Sequence, residues 1–444
     1  MPTTQQATLP RSVRAGYGSG SVATGAFGTV PGLMLLPYLT DEVGMAAAAA
    51  GVIVFLPKAW DVVLNPIAGR ISDRTVDPRG ARRPWLLRAG IALAVAFALL
   101  FAAPETSTGL EAAWVLVAFL ACASAYAFFQ VPYVSMPAEM TASYDERTRL
   151  MTWRVAILAL TILLAGATAP AIRDAVGGRD GYRLMGLVMA GLILVGVVGA
   201  YVGTRRAPLG TVHPGAGTLR DQLRVVAGAR DFRMLLTTFV VQALAVGCIL
   251  AGVDYLAEDV LDSTGAVTAL FACFVAPALL LTPVWAAFGQ RVGKKRGYVV
   301  SSLLLALGSL VSVLADAAPA AVLFAAVAVS GVGYAGCQVF PMAMLPDAAA
   351  VDTQRTGENR VGVYTGVWTA GETFGLALGP AVFAVVLQLG GYRSGSGVAQ
   401  PGSAETAIVL GFALLPAVLV LASLWWLARY TLEADAVEEE AVPA

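Results

Sequence analysis

The chain has 444 residues, of which 58% are hydrophobic and only 13% are charged, and its 29 basic residues equal its 29 acidic residues. Soluble globular chains carry about 25% charged residues, so this composition excludes an ordinary water-facing surface and favours lipid as the solvent. The balanced charge gives no support to nucleic-acid binding, and we expect no nucleic-acid partner.

Twelve apolar segments follow one another along the chain. A bilayer core of about 30 Å requires about 20 apolar residues per helix. We therefore predict an all-α membrane protein with twelve transmembrane helices in the plasma membrane. The four cysteines lie singly in these segments, without disulfide or metal spacing, so they are interpreted as core residues and no metal site is expected. The segments lie near residues 20–39, 46–68, 86–104, 111–136, 152–172, 184–203, 234–257, 265–288, 298–315, 319–345, 361–390 and 404–428.

The basic residues lie mostly on one side of the predicted membrane. That side holds both termini, and the other side holds only Arg173, Arg179, Arg183 and Arg393. Because positively charged loops stay in the cytoplasm, both termini are predicted to be cytoplasmic. The acidic stretch 431–444 is expected to form a solvated cytoplasmic tail.

The fourth and tenth segments end with similar sequences. Residues 130–139 read QVPYVSMPAE and residues 338–347 read QVFPMAMLPD. A six-helix unit duplicated in the same topology is the major facilitator architecture. We therefore predict two pseudo-symmetric six-helix bundles, 1–203 and 234–430, joined by a cytoplasmic linker over 204–233. The alternative is a set of unrelated helices that merely share positively charged cytoplasmic loops.

The second segment and its exit carry a family resemblance. Residues 56–69 (LPKAWDVVLNPIAG), with SDR at 72–74 and RPW at 83–85, resemble the glycoside–pentoside–hexuronide:cation symporters. That family includes the melibiose permeases and the animal lysophosphatidylcholine symporter. The resemblance spans nearly the whole chain and extends to ERTR at 146–149, GKKR at 293–296, MLPD at 344–347 and YTGVW at 364–368.

The resemblance implies a secondary transporter that works by alternating access. Its partners would be a small-molecule solute, a monovalent cation (H⁺ or Na⁺) and membrane lipid, and it would act as a monomer with no other cofactor. An alternative on the same fold is a proton-driven exporter of a drug-like or lipid-like metabolite. A membrane enzyme or receptor is disfavoured because the sequence has no phosphate-binding loop with a lysine, no metal-ligand cluster and no nucleophile–base pair.

A cation-coupling site is expected on the second segment. Lys58, Asp61 and Asn65 share one helical face, and ionisable residues inside a membrane are functional candidates because their insertion is costly. The resemblance implies two carboxylates four residues apart here, and Asn65 replaces the second. A single carboxylate beside a neutral amide favours proton coupling over sodium coupling. The alternative is that Lys58 and Asp61 only neutralise each other as an i,i+3 pair.

Substrate-binding candidates lie on three other segments. Tyr126 and Gln130 share one face of the fourth segment, and Trp368 and Glu372 are one turn apart on the eleventh. By resemblance, Arg154 matches an arginine that lines the substrate cavity, and the alternative is a positively charged residue at the cytoplasmic side of the membrane. Gln130 replaces an aspartate that bonds sugar hydroxyls, and Glu372 replaces a lysine that links the two sites. These changes favour a less polar or larger solute, although other positions can still serve a sugar.

Two hypotheses concern coupling and gating. Asp61 and Glu372 could compete for Lys58 and Arg154, so that protonation of one acid releases a basic partner. The loop after the second segment could hold an inner gate closed by pairing with helix ends of the opposite half, or its charges could only provide solubility. The predicted gating residues are Asp73, Arg74, Arg82, Arg83, Glu139 and Asp347.

Overall fold

The computed structural model describes residues 9–80, 82–141, 144–207, 228–263, 265–315, 318–356 and 361–432. Over these residues the chain is helical and contains no β-strand. This confirms the predicted all-α class. Residues 357–360 and 433–444 lie outside the described residues, so the expected acidic tail 431–444 stays a prediction for nearly all of its length.

The chain divides into two units. The first comprises Met1–Gly44 and Leu56–Ala216, and the second comprises Met45–Phe55 and Gly217–Ala444. The boundary after residue 216 falls within the predicted linker 204–233, of which 208–227 lie outside the described residues. The predicted domain limits therefore stay a prediction.

Six helices account for the first half of the chain. They are α1 (Arg11–Pro37, continued by a π-helical turn Tyr38–Glu42), α2 (Ala47–Asp73), α3 (Arg83–Leu100), α4 (Thr108–Met140), α5 (Tyr144–Val176) and α6 (Gly178–Gly203). Asp and Glu are absent from α1 itself, which carries only Arg11 and Arg14 near its start. The mid-membrane part of α1 is therefore uncharged.

The described residues of the second half contain eight α-helices, some of which are parts of one span. They are α7 (Arg230–Tyr255, with a π-turn Leu256–Val260), α8 (Ala266–Leu280), α9 (Thr282–Val292), α10 (Lys294–Val311), α11 (Ala320–Thr356), α12 (Val361–Leu389), α13 (Gly402–Val409) and α14 (Leu415–Ala428, joined to α13 by a π-turn Leu410–Leu414).

Eleven helices in the described residues are long and apolar enough to cross a membrane, and a bent pair raises the number to twelve. The bend is a correction to the predicted eighth segment, 265–288, which was expected to be one helix. The structure breaks it at Leu281, where α8 and α9 meet at 52°. Pro277 and Pro283 flank the break, and a proline ring removes a backbone donor and clashes with the preceding turn. Twelve spans are reached only if this bent pair crosses the membrane as one.

The two units repeat one packing scheme. In the first unit, α1 packs on α5 and α6, while α3 packs on α4 and α6. In the second, α7 packs on α12 and α14, while α10 packs on α11 and α14. The first helix thus pairs with the fifth, and the third with the fourth, in each six-helix unit. This agreement supports the predicted duplication.

Glycines permit the closest approaches within each unit. Gly16 on α1 faces Gly203 on α6, and a Cβ added to either would overlap the other's Cα atom. Gly247 on α7 faces α12, where a Cβ added to Gly379 would overlap the Cα atom of Gly247 and a Cβ added to Gly247 would overlap the carbonyl oxygen of Leu376. Small residues at such crossings let helix backbones pack closely in a membrane protein. These contacts fix α1 and α7, which bring polar side chains to the site of each unit.

Candidate functional site

The predicted cation-coupling residues lie together in the first unit. Asp61 on α2 is only 5% exposed, and the side chain of Asn65, one turn later, lies within hydrogen-bonding reach of its carboxylate. Oδ1 of Asp61 is buried and accepts no hydrogen bond from the described residues. The helical period brings the two side chains to one face. The arrangement leaves a carboxylate oxygen able to accept a proton.

Lys58 lies over aromatic rings rather than in an ion pair. Its Nζ lies 4.5 Å from the centroid of the Phe27 ring and 5.9 Å from that of Phe119. Among the described residues no salt bridge within 4.0 Å joins Lys58 to Asp61, so the simple i,i+3 ion pair is not formed. A cation over aromatic faces is stabilised by the ring quadrupole. Lys58 therefore affects Asp61 through its field rather than by direct contact.

Tyr126 and Gln130 on α4 both contact α1. Thr24 donates from Oγ1 to Oε1 of Gln130 at 2.7 Å. The Tyr126 ring packs on Phe27 with centroids 4.6 Å apart. Phe27 thus contacts both Tyr126 and Lys58, which places the α4 candidates beside the α2 face. The sequence prediction missed Thr24, because a threonine in an apolar helix carries no distinctive signal.

Arg154 is the third candidate of the first unit. Its guanidinium carbon lies 5.7 Å from the centroid of the Tyr133 ring. Nε of Arg154 is buried and has no hydrogen-bond partner in the described part of the chain. The Tyr133 hydroxyl donates to the carbonyl oxygen of Tyr17 at 2.8 Å and contacts Oγ of Ser21 at 2.9 Å. Tyr133 therefore contacts both Arg154 and α1. The sequence prediction quoted Tyr133 only within a proline-containing motif and did not predict these contacts.

The second unit contains a small open pocket of about 10 Å³, which is room for about one water molecule. Glu372 lines it, whereas Trp368 does not. Trp368 is fully buried and stacks on Phe239 with ring centroids 4.3 Å apart, so it supports the pocket wall through Phe239. The lining residues are Phe239, Gln242, Ala243, Val246, Tyr334, Cys337, Gln338, Glu372 and Leu376.

Arg82 joins the end of α2 to the end of α4. Its Nη2 lies 2.5 Å from Oδ1 of Asp73 and its Nε lies 2.7 Å from Oε1 of Glu139. It also donates to Oγ of Ser72 at 2.7 Å. All of these residues belong to the first unit. Glu139 is one of the acids expected to pair with this loop, and a gating role for Arg82 stays a prediction.

The other predicted gating residues have separate environments. Arg83 donates to the carbonyl oxygen of Tyr201 at 3.0 Å, and Arg74 is exposed. In the second unit, Asp347 accepts from Nζ of Lys294 at 2.6 Å, so its partner also lies within its own unit. Asp347 occupies the position of the repeated segment that Glu139 occupies in the first unit. Both acids therefore form an ion pair with a basic residue of their own unit.

Glu146, at the start of α5, forms a further ionic cluster near the N-terminus of the chain. It accepts from Arg14 at 2.8 Å and from Arg149 at 2.9 Å, and from the backbone N–H of Leu9 at 3.3 Å. Burial acts to raise the pKa of Glu146, but the hydrogen bonds from the two arginines outweigh it and lower the pKa below its ordinary value. The sequence prediction quoted Glu146 only within a motif and did not predict its partners.

The sequence profile of the family described as MFS/sugar transport protein matches residues 16–434. The chain belongs to this family. The predicted family, major facilitator fold and transport function are thereby confirmed, and the protein is a multi-pass integral membrane transporter.

Individual relatives cover almost the full length of this transporter. It is 26% identical over 434 residues to the "Putative glycoside/cation symporter YagG" of Escherichia coli, covering 96% of this chain and 93% of that one. It is 22% identical to "Sodium-dependent lysophosphatidylcholine symporter 1" of Gallus gallus, covering 94% and 86%. The crystal structure of the nucleoside transporter NupG shares the fold, with a TM-score of 0.66, 14% identity, and coverage of 95% and 99%.

The structure thus distributes the predicted site residues of this transporter over both units. Lys58, Asp61 and Asn65 lie with the α4 and α5 candidates in the first unit, and Glu372 lines a pocket in the second. Their roles stay predictions. The sequence also missed Gln242, which lines the same pocket as Glu372, because a single glutamine in an apolar helix does not stand out from helix-packing residues.

Proposed function

We propose that this transporter is a symporter that couples solute movement to protons through Asp61. The observation that supports this most directly is the buried Asp61 carboxylate with one oxygen that accepts no hydrogen bond from the described residues. A buried carboxylate without a direct ion pair is costly when ionised, and protonation removes that cost. Proton uptake at Asp61 would therefore neutralise the carboxylate and remove the free-energy cost of a buried negative charge.

The surroundings of Asp61 favour a proton over sodium. Sodium needs several oxygen ligands with net negative charge, and the nearest partner of Asp61 is the neutral amide of Asn65. One relative is named as sodium-dependent. The resemblance implies that family members carry a second carboxylate at the position where this chain has Asn65.

The solute is proposed to be a small molecule that contacts the α4 and α5 candidates. Gln130 is held by Thr24, Tyr126 lies on Phe27, and Arg154 has a buried Nε without a partner in the described part of the chain. Gln130, Tyr126 and Arg154 provide one positive charge and no carboxylate. Such a site suits a glycoside, and it equally suits a solute that is less polar than a free sugar. The names of the relatives include both a glycoside symporter and a lysolipid symporter, and they do not favour the exporter alternative.

The cellular setting follows from the distribution of charge. We place the transporter in the cytoplasmic membrane with both termini in the cytoplasm, because the basic loops lie on the side of the termini. It would act as a monomer, without enzymatic activity, nucleic acid or a cofactor other than the coupling ion. Cysteine labelling of Arg74→Cys and Arg393→Cys with a membrane-impermeant reagent tests this orientation, since only the second should react from outside.

Flux in proteoliposomes tests the coupling. Radiolabelled methyl-β-glucoside, melibiose and lysophosphatidylcholine serve as probes under an imposed proton gradient or an imposed sodium gradient. A transported probe should accumulate with the proton gradient, and Asp61→Asn should lose accumulation while retaining exchange of labelled for unlabelled probe. Glu105→Gln is the matched control because Glu105 is 63% exposed and far from the site in sequence. Accumulation by Asp61→Asn at the wild-type level would refute the proposal, and accumulation driven by sodium alone would refute the choice of ion.

A further inference from the structure

The pocket of the second unit presents two hydrogen-bond acceptors that its own side chains do not satisfy. Glu372 lines the pocket, and no basic side chain pairs with its carboxylate in the described part of the chain. Gln242 donates through Nε2 to Oγ of Ser302 and Oγ of Ser423, each at 2.9 Å. These two bonds fix its amide so that Oε1 is buried and accepts no hydrogen bond among the described residues.

The remaining polar groups of the pocket do not supply a positive charge. Gln338 donates through Nε2 to the Tyr334 hydroxyl at 3.0 Å, and Cys337 contacts Ser302 at 3.7 Å. The titratable side chains that face Glu372 across the pocket are thus Tyr334 and Cys337 from α11, and α7 contributes none to the lining. The carboxylate of Glu372 therefore has no positive partner in the pocket lining, and Oε1 of Gln242 is an unsatisfied acceptor buried in the same wall.

Aromatic and aliphatic side chains form the rest of the wall. Phe239 is held by its stacking on Trp368, and Tyr334 stacks on Phe274 with ring centroids 5.0 Å apart. Ring faces attract cations, and the attraction grows when water is excluded. A carboxylate, an unsatisfied amide oxygen and rigid aromatic rings around a pocket of this size are a combination suited to a small cationic group such as an ammonium.

We propose that this pocket binds a protonated amine carried by the transported solute, with Glu372 as its counter-charge and Gln242 as a second acceptor. An ammonium group has up to three N–H donors, which matches the two acceptor types, whereas a neutral hydroxyl supplies one donor and no charge. An uncompensated carboxylate in a desolvated wall is costly, and a bound cation removes that cost. The inference rests on the proposed transport function and adds the chemical class of the solute.

Binding to the purified full-length protein tests this without any ion gradient. Two matched sets of probes are measured by titration calorimetry: glucosamine, N-acetylglucosamine and glucose; and phenethylamine, N-acetylphenethylamine and 2-phenylethanol. In at least one set the amine should bind at least about ten-fold more tightly than both neutral analogues, as expected for one favourable charge contact. Glu372→Gln should reduce the preference to within about two-fold, and Glu372→Asp, which keeps the charge, should retain most of it.

Controls separate this inference from folding defects and from failure of the coupling proposal. Glu405→Gln removes a carboxylate of the same unit outside the pocket and should keep the amine preference. Without ligand, Glu372→Gln should have a melting temperature equal to or above that of the wild type, because it removes an uncompensated charge. Asp61→Asn should keep the preference whether or not it transports. Equal binding of amine and neutral analogues in both sets, or a preference that survives in Glu372→Gln, would overturn the inference and leave a proton as the occupant of Glu372.

Discussion

Nε of Arg82 lies 2.7 Å from Oε1 of Glu139, and this ion pair ties the end of α2 to the end of α4 within the first unit. The side chain of Arg82 is 7% exposed and also holds Asp73. In the second unit the corresponding ion pair joins Lys294 to Asp347 at 2.6 Å, but the lysine is 47% exposed. The two units thus contain equivalent ion pairs that differ in burial. The buried pair should contribute more to the free energy of unfolding than the exposed pair.

Replacement of Arg82 by Met should therefore destabilise the protein more than replacement of Lys294 by Met. Loss of Arg82 leaves two carboxylates near each other without a cation, which costs about 3–5 kcal/mol for a buried pair. Loss of the exposed Lys294 should cost about 0–1 kcal/mol. Thermal unfolding of both variants in the same detergent measures the difference. Equal melting temperatures would show that burial does not separate the two pairs.

Asn65→Asp should move the coupling preference from protons towards sodium. The substitution places a second carboxylate one turn after Asp61, where the side chain already lies within hydrogen-bonding reach, and a second negative oxygen donor favours a metal cation over a single proton. Sodium-driven uptake of a transported probe in proteoliposomes should rise several-fold relative to the wild type. Asn65→Ser is the matched control, since it offers an oxygen without the charge. A sodium dependence unchanged from the wild type would contradict the assigned ion site.

Glu146 should contribute stability that depends on pH. Burial acts to raise the pKa of Glu146 in the folded state. The hydrogen bonds from Arg14 and Arg149 outweigh burial, so the folded-state pKa is lowered. A carboxylate with a depressed pKa contributes fully above its unfolded value, near 4.5, and the contribution is lost as pH falls through the lower folded pKa. Glu146→Gln should therefore lower the melting temperature at pH 7 by a few degrees, and the gap should narrow below about pH 4.5.

Melting curves of Glu146→Gln and the wild type between pH 4 and pH 8 measure this effect. Glu105→Gln, at an exposed carboxylate, should show no comparable gap. A gap that widened as pH fell would mean that the arginines do not stabilise the charged form of Glu146.

The close crossing of α1 and α6 should tolerate no side chain at Gly16. A Cβ at this position would overlap the Cα atom of Gly203, whereas a Cβ at Gly28 on the same helix would meet nothing within 4 Å. Gly16→Ala should destabilise the protein by about 1–3 kcal/mol through overpacking. Gly28→Ala should be neutral or stabilising, because alanine favours the helix more than glycine does. Thermal unfolding compares them, and similar losses in both variants would locate the effect in the helix itself rather than in the crossing.

Local sequence patterns were sufficient for several features. The apolar segments predicted the spans, because the thickness of a bilayer fixes the length of a helix that crosses it. The repeat at Gln130 and Gln338 predicted the duplication that the packing of each unit supports. The positions of Asp61 and Asn65 on one face followed from the helical period alone, since residues of one helix have fixed angular positions.

Contacts between helices could only be decided by the tertiary structure. The sequence could not show that Lys58 lies over Phe27, that Thr24 bonds Gln130, or that the acids of Arg82 come from its own unit. It also could not show that Glu372 lines a pocket without a basic partner in the described residues. Which side chain meets which across a helix interface depends on the rotation and crossing of each helix, and these are set by packing against neighbours distant in sequence.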